Sequence, residues 1–162
     1  MTVKWNGANL IKTIADNEAG ATKFYRAIAE EARIGEKFFE MLAQDEERHE
    51  KIYSALLKRF EKNIEIEIEE SDAKYMDLLI EANNPFDDEL IEKAKKLWDK
   101  SQIFEIAEQA ERDAVLFVSE LQRLYPDMAT EEMAIILKEE KSHLQKVLER
   151  KRESQPMFGR GM

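Results

Sequence analysis

Four segments of the sequence place apolar residues at alternating steps of three and four, and this spacing constrains the fold more than any other feature. Such a period puts one apolar stripe along an α-helix, as in a helix with one face in a bundle core. The stripes run over residues 11–32, 39–60, 104–125 and 133–147. They predict an all-α chain built on four long helices.

The connections between the stripes predict how the helices are wired. Gly35 fits a short link between the first two helices, and Pro126 cannot continue the third helix, so its link to the fourth is also short. Short links make neighbouring helices antiparallel, whereas a long crossover lets the chain return along the bundle. Because residues 61–100 separate the second and third stripes, we predict a ferritin-like four-helix bundle with a long crossover between helices 2 and 3.

The crossover contains two local patterns of its own. Residues 63–69, in which Ile and Glu alternate after Asn63, fit either an extended strand or an amphipathic connector laid over the bundle, and we prefer the connector. Asp87 or Asp88 can cap a helical run through Leu90 and Leu97. We predict one domain over residues 1–153 and a flexible tail over 154–162.

Composition excludes several classes of function. The net charge of −10, with Lys and Arg interspersed among Glu and Asp, argues against nucleic acid as a partner. The absence of cysteine excludes disulfides, thiolate zinc sites, iron–sulfur clusters and an iron held by four Cys. No signal peptide, anchor or membrane span is visible in the sequence, so we expect a cytoplasmic protein.

Each stripe carries a glutamate where an apolar residue is expected. An ionised carboxylate buried without partners costs several kcal/mol, so four in one core would be strongly unfavourable unless cations neutralise them. Divalent metal ions are the simplest source of that charge. The four glutamates are Glu18, Glu46, Glu111 and Glu140.

Histidine strengthens the prediction of a metal site. The chain has only two, His49 and His143, and each follows a stripe glutamate, Glu46 or Glu140, by three residues. Residues three apart project from one side of a helix, so each pair can face the same metal ions. One such pair would more often be a solvated helical pair. Two pairs in core stripes predict a two-metal site rather than a metal-free bundle.

The spacing also reveals an internal repeat. Glu18, Ala21 and Phe24 match Glu111, Ala114 and Phe117 at one common offset, and the two Glu-x-x-His pairs match at an offset one residue larger. Di-iron bundles use one Glu from each of two helices and Glu-x-x-His from each of the others. Such ligands suit iron or manganese, and the ligands alone leave that choice open.

Two residues, one beside the third stripe and one within the first, are ambiguous. Glu108 precedes Glu111 by about one turn and is either a further ligand or an ordinary exposed glutamate. Tyr25 is either core packing or a functional group beside the metals. Glu105 is expected at the surface.

These residues resemble the rubrerythrin family of the ferritin-like superfamily over about residues 8–150. The resemblance is carried by NEAGATKFY from Asn17, DEERH from Asp45, AEQAERDA from Ala107 and EEKSH from Glu139. It implies two irons, with manganese or zinc as substitutes, held by seven ligands. Their implied roles are bridging for Glu46 and Glu140, terminal for Glu18, His49, His143 and Glu108, and moving with oxidation state for Glu111.

The resemblance implies that the reduced site gives two electrons to hydrogen peroxide and forms water. A chain without cysteine carries no rubredoxin-like domain, so the electrons must come from a separate donor such as a rubredoxin. Val118 stands where the family usually has a second tyrosine, which leaves Tyr25 alone. Alternatives are a dioxygen-using oxidase or ferroxidase and a non-catalytic metal-binding bundle. A homodimer is also expected, since the crossover offers extended backbone for pairing.

Overall fold

The computed structural model describes residues 1–31, 36–60, 64–84, 86–96 and 100–154. Its elements, in chain order, are β1 (Thr2–Asn6), α1 (Ala8–Glu31), α2 (Glu36–Arg59), β2 (Glu65–Glu69), α3 (Glu70–Glu81), α4 (Asp88–Lys95), α5 (Lys100–Leu124) and α6 (Thr130–Ser154). The four long helices α1, α2, α5 and α6 correspond to the four predicted stripes. The predicted all-α fold is confirmed, with one small sheet added.

Two hydrophobic clusters fill the bundle, one at each end. One cluster takes residues from the start of α1, the end of α2, the end of α5 and the start of α6, and the other takes the opposite ends. Helix α1 is therefore antiparallel to α2, and α5 is antiparallel to α6. Helices α2 and α5 run the same way, and the long crossover between them makes this possible. This is the predicted wiring.

The small sheet corrects our preference for residues 64–69. Strand β2 pairs antiparallel with β1, with Trp5 opposite Ile66 and Val3 opposite Ile68. The alternation of Ile and Glu puts both isoleucines on the face that packs against the first cluster, while the glutamates face solvent. The preferred connector was wrong because the N-terminal strand supplies a pairing partner, and that strand has no strong signal of its own.

Tyr125 fixes the sheet end of the bundle. Its hydroxyl accepts a hydrogen bond from the Gly7 amide at 2.9 Å and donates one to the Ile64 carbonyl. A Cβ at residue 7 would collide with the Tyr125 ring, so glycine is required there. Helix α5 ends at Leu124, just before Pro126, as predicted.

The crossover continues through α3 and α4 along the bundle. Met76 of α3 joins the sheet-end cluster, and Ile91 of α4 joins the opposite cluster. Asp87 caps α4 by accepting a hydrogen bond from the Leu90 amide at 2.8 Å. The predicted link at Gly35, the far end of the α4 run at Leu97 and the tail beyond Ser154 lie outside the described residues.

Candidate metal centre

A layer of buried polar side chains separates the two hydrophobic clusters. Every member of this layer is at most 2% exposed, although all are ionisable. Each sits on the apolar stripe of a long helix, at the level where that stripe passes the middle of the bundle. The layer consists of Glu18, Glu46, His49, Glu111, Glu140 and His143.

These six side chains form two groups of four that share two members. Glu18 and His49 complete one group, Glu111 and His143 complete the other, and Glu46 and Glu140 belong to both. Within each group, one ligand atom per residue lies within 4.8 Å of the others. Each group contains one imidazole ring, and the two ring centroids are 6.2 Å apart. The arrangement fits two metal ions, one in each group, and Glu46 and Glu140 would be the residues available to both.

The hydrogen bonds missing from this layer support the same conclusion. Six fully buried side-chain atoms in the described part of the chain have no hydrogen-bond partner. Five belong to the layer: Glu18 Oε2, His49 Nδ1, Glu111 Oε2 and both carboxylate oxygens of Glu140. An unpaired buried polar atom costs about 1–3 kcal/mol, and more when it is charged. Metal ions would satisfy these atoms, so the donor set fits the expected cofactor.

The geometry at His49 shows which nitrogen is free to bind. Its Nε2 lies 2.8 Å from Glu139 Oε2, and a proton on Nε2 makes this contact a hydrogen bond. Its Nδ1 lies 2.5 Å from Glu140 Oε1 without hydrogen-bond geometry. Two acceptor atoms in this position repel each other unless a cation lies beside them. Nδ1 is therefore the nitrogen that a metal ion would contact.

Charge crowding perturbs the layer strongly. Burial and the charge of Glu111 raise the pKa of Glu46 to about 7. Burial and the charges of Glu46 and Glu111 also raise the pKa of Glu140 well above its usual value. Four carboxylates carry a formal charge of −4, which two divalent cations balance. Without metal, part of this charge must be neutralised by protons.

The two histidines differ in the metal-free protein. Burial lowers the pKa of His49, which favours the neutral ring that binds metals. Burial acts in the same direction on His143, but hydrogen bonds and charges from Glu111 and Glu46 outweigh it and raise its pKa to about 11. His143 Nδ1 lies 2.9 Å from Glu46 Oε1. A proton on Nδ1 thus takes the place of a metal ion there.

Sequence reasoning missed the acids that orient the two imidazoles. His49 pairs with Glu139 of α6, and His143 Nε2 pairs with Asp45 Oδ2 of α2 at 2.8 Å. Arg48 donates hydrogen bonds to both acids. Such carboxylates fix the ring orientation of a metal-binding histidine and increase its basicity. The available signal was an acid directly before each glutamate of the two Glu-x-x-His pairs.

Two buried tyrosines border the layer. Tyr25 donates a hydrogen bond to Glu111 Oε1 at 2.7 Å, and burial together with the Glu111 charge raises its pKa well above the usual value. Tyr53 lies one turn after His49 on α2, and its buried hydroxyl has no partner. Burial and the charges of Glu140 and Glu46 raise the pKa of Tyr53. Tyr53 was missed because the repeat directed attention to position 118, which is a buried valine.

Glu108 lies outside both four-residue groups. Its carboxylate contacts Arg112 Nε at 2.8 Å and Lys151 Nζ at 3.0 Å, and the Arg112 and Lys151 hydrogen bonds lower its pKa. Glu111 occupies the position beside His143, with Glu111 Oε2 3.7 Å from His143 Nδ1. A ligand role for Glu108 stays a prediction. Glu105 is exposed, as expected.

Comparison with known proteins agrees with this geometry. The family model described as Rubrerythrin matches residues 9–150. This chain belongs to the rubrerythrin family. No curated protein sequence matches it significantly.

One similar solved structure has been described as that of a ferritin-like diiron-carboxylate protein from Thermotoga maritima. The alignment covers 93% of this chain and 97% of that one, with a TM-score of 0.71 and 23% sequence identity. At that identity the likeness concerns the ferritin-like fold alone. Among the described residues, no helix of this rubrerythrin-family chain combines the length and apolarity needed to cross a membrane.

Proposed function

We propose that this protein is a di-iron peroxidase that reduces hydrogen peroxide to water with electrons from a separate donor such as a rubredoxin. The observation that carries the proposal is the pair of four-residue groups sharing Glu46 and Glu140 in a rubrerythrin-family bundle. When bound there, a reduced iron pair would supply the two electrons that, with two protons, convert hydrogen peroxide to two molecules of water.

The protein's own residues prepare the site for this reaction. The ligand layer is closed off by hydrophobic clusters on both sides, which strengthens every electrostatic contact within it. Asp45 and Glu139 hold the two imidazoles with Nδ1 towards the layer. Tyr25 keeps its proton on Oη and holds one oxygen of Glu111, which leaves Glu111 Oε2 free for a metal.

A second candidate is a dioxygen-using oxidase or ferroxidase with the same iron site. It is favoured by the position of Glu108, whose two ion pairs leave six ligands in the layer rather than seven. In the peroxidase proposal Glu111 moves with oxidation state and Glu108 serves as a terminal ligand. In the ferroxidase proposal Glu108 stays paired with Arg112 and Lys151.

The two candidates are separated by rapid mixing of the iron-loaded, anaerobically reduced protein with either hydrogen peroxide or dioxygen. The peroxidase proposal expects ferric absorption to develop much faster with peroxide. Faster development with dioxygen would contradict it and support the second candidate. Glu108→Ala should slow the peroxide reaction only if Glu108 is a ligand, and Glu105→Ala is the matched control on the same helix.

The biological setting is also part of the proposal. Peroxide reduction of this kind would protect a cytoplasm from oxidants, and a homodimer remains the expected assembly. One edge of β2 is taken by β1 of the same chain, so that edge is not available to a second copy. Light scattering at micromolar concentration tests the assembly, and a monomer would contradict a dimer.

A further inference from the structure

A cavity of about 220 Å³ leads from the surface to the metal centre. It lies between α1, α5 and the crossover. Its lining includes Glu18, Glu46 and Glu111, which are almost fully buried. Two further lining residues, Asn84 and Gln109, are exposed to solvent. The cavity is therefore the approach to the metal ligands from solvent.

The crossover is attached firmly above this cavity. The Phe86 ring stacks on Phe24, with centroids 4.8 Å apart and planes 3° apart. The Asn17 and Asn83 amides exchange two hydrogen bonds, at 3.1 and 2.9 Å. A Cβ at Gly20 would lie 3.1 Å from the backbone oxygen of Phe86, so this glycine allows the close approach. The cavity thus has a defined roof.

The rest of the lining is mainly apolar. It includes Phe86, Leu90, Ile106, Ala110 and Ala114. Hydrogen peroxide or dioxygen occupies a volume similar to one or two waters, about 30 Å³ each in the liquid. An apolar cavity of about 150 Å³ is large enough to stay dry and bind benzene. The volume of this cavity therefore exceeds what dioxygen or hydrogen peroxide alone requires, and its apolar lining suits an apolar group.

We propose that the cavity binds a small organic hydroperoxide, with its apolar group against Phe86, Leu90 and Ile106 and its hydroperoxide group towards Glu18 and Glu111. The chemistry of this inference rests on the proposed function. The O–O bond breaks, two electrons come from the reduced metal centre and two protons from solvent, and R–OOH becomes R–OH and water. The electrons are replaced by the same separate one-electron donor protein.

Binding is tested apart from turnover by using a redox-inert probe. The zinc-loaded protein is titrated with 2-phenyl-2-propanol, the alcohol formed from cumene hydroperoxide, by calorimetry or ligand-observed NMR. Ala114→Leu places a larger side chain on the cavity wall and should weaken binding about tenfold or more, equivalent to about 1.4 kcal/mol. Ala134→Leu, the same change at an exposed position of α6, should leave binding unchanged.

Leu90→Ala provides a second variant, because Leu90 on α4 is only half-buried and we expect its truncation to leave the fold intact. It should also weaken binding of the alcohol, because the probe loses an apolar contact. Failure of the alcohol to bind, or equal binding by wild type, Ala114→Leu and Leu90→Ala, would overturn the proposal.

Turnover provides the second readout with the di-iron protein. Ala114→Leu should slow reduction of cumene hydroperoxide about tenfold or more. It should slow reduction of hydrogen peroxide, a much smaller molecule, considerably less. Equal slowing of both oxidants would overturn the cavity proposal. Binding of the alcohol without reduction of either peroxide would instead overturn the proposed function and leave the binding site established.

Discussion

Replacing Glu46 with glutamine should make the metal-free protein more stable and the metal centre non-functional. Glu46 is 2% exposed, and burial and the Glu111 charge raise its pKa from 4.5 to about 7. An amide has nearly the same shape but carries no charge. Its oxygen can still accept the hydrogen bond from His143 Nδ1, which now lies 2.9 Å from Glu46 Oε1.

The size of the effect follows from the pKa difference between the folded and unfolded chain. Because the folded pKa is raised, the wild type loses stability as pH rises from about 4.5 to 7, where the unfolded carboxyl ionises first. Each pKa unit is worth about 1.4 kcal/mol, so Glu46→Gln should gain about 3 kcal/mol at pH 7. For a chain of this length that raises Tm by roughly 6–12 °C.

The assay is thermal unfolding of the metal-free protein, followed by circular dichroism at pH 7 and at pH 4. The gain in stability should vanish at pH 4, where the Glu46 carboxyl of the wild type is mostly protonated in both the folded and the unfolded chain. Glu105→Gln, an exposed position on α5, should change Tm little at either pH. The reasoning is refuted if Glu46→Gln is less stable than wild type at pH 7, or if its gain is the same at both pH values.

Three further predictions follow from contacts around the layer. Asp45→Asn should weaken metal binding about 10–100-fold in competition with a chelator, because His143 loses its orienting carboxylate, whereas exposed Asp16→Asn should not. Tyr25→Phe should keep two metals per chain but slow the peroxide reaction on the order of tenfold, since a charge-assisted hydrogen bond is lost. Metal affinity should fall as pH drops through about 7, where Glu46 takes up a proton, and pH-stat titration should detect proton release on binding.

The fold was predictable because its dominant signal is periodic. Most residues at steps of three and four are buried along the four long helices, so the stripe alone identifies which side of each helix faces the core. The small sheet was not predictable in the same way. Strand β1 is five residues long, and its pairing depends on a contact with a segment about sixty positions away.

The six residues of the buried layer were likewise predictable, since glutamate and histidine in an apolar stripe contradict the local pattern and therefore stand out. The residues around the layer do not depart from the local sequence pattern in this way. Asp45 and Glu139 are partly exposed acids on polar positions, and their pairing with the histidines depends on how α2 and α6 face each other. The position of Glu108 could not be predicted for the same reason, because Lys151, which donates a hydrogen bond to its carboxylate, is on a different helix.

The cavity could not be predicted from the sequence at all. Its roof requires Phe86 of the crossover to approach Gly20 of α1, and no periodic pattern joins these two positions. Ala114 is an ordinary member of the third stripe in the sequence, yet it is only half-buried because it borders this space.

The central claim is that one chain holds two metal ions between Glu46 and Glu140. The most direct test is the stoichiometry of Fe²⁺ bound anaerobically, measured by titration and by metal analysis after desalting, with the exposed variant Glu105→Ala as control. We predict two Fe per chain for wild type and control, and loss of the paired site in Glu46→Ala and Glu140→Ala. Saturation at one iron or none in the wild type, or equal binding by all three variants, would contradict the account.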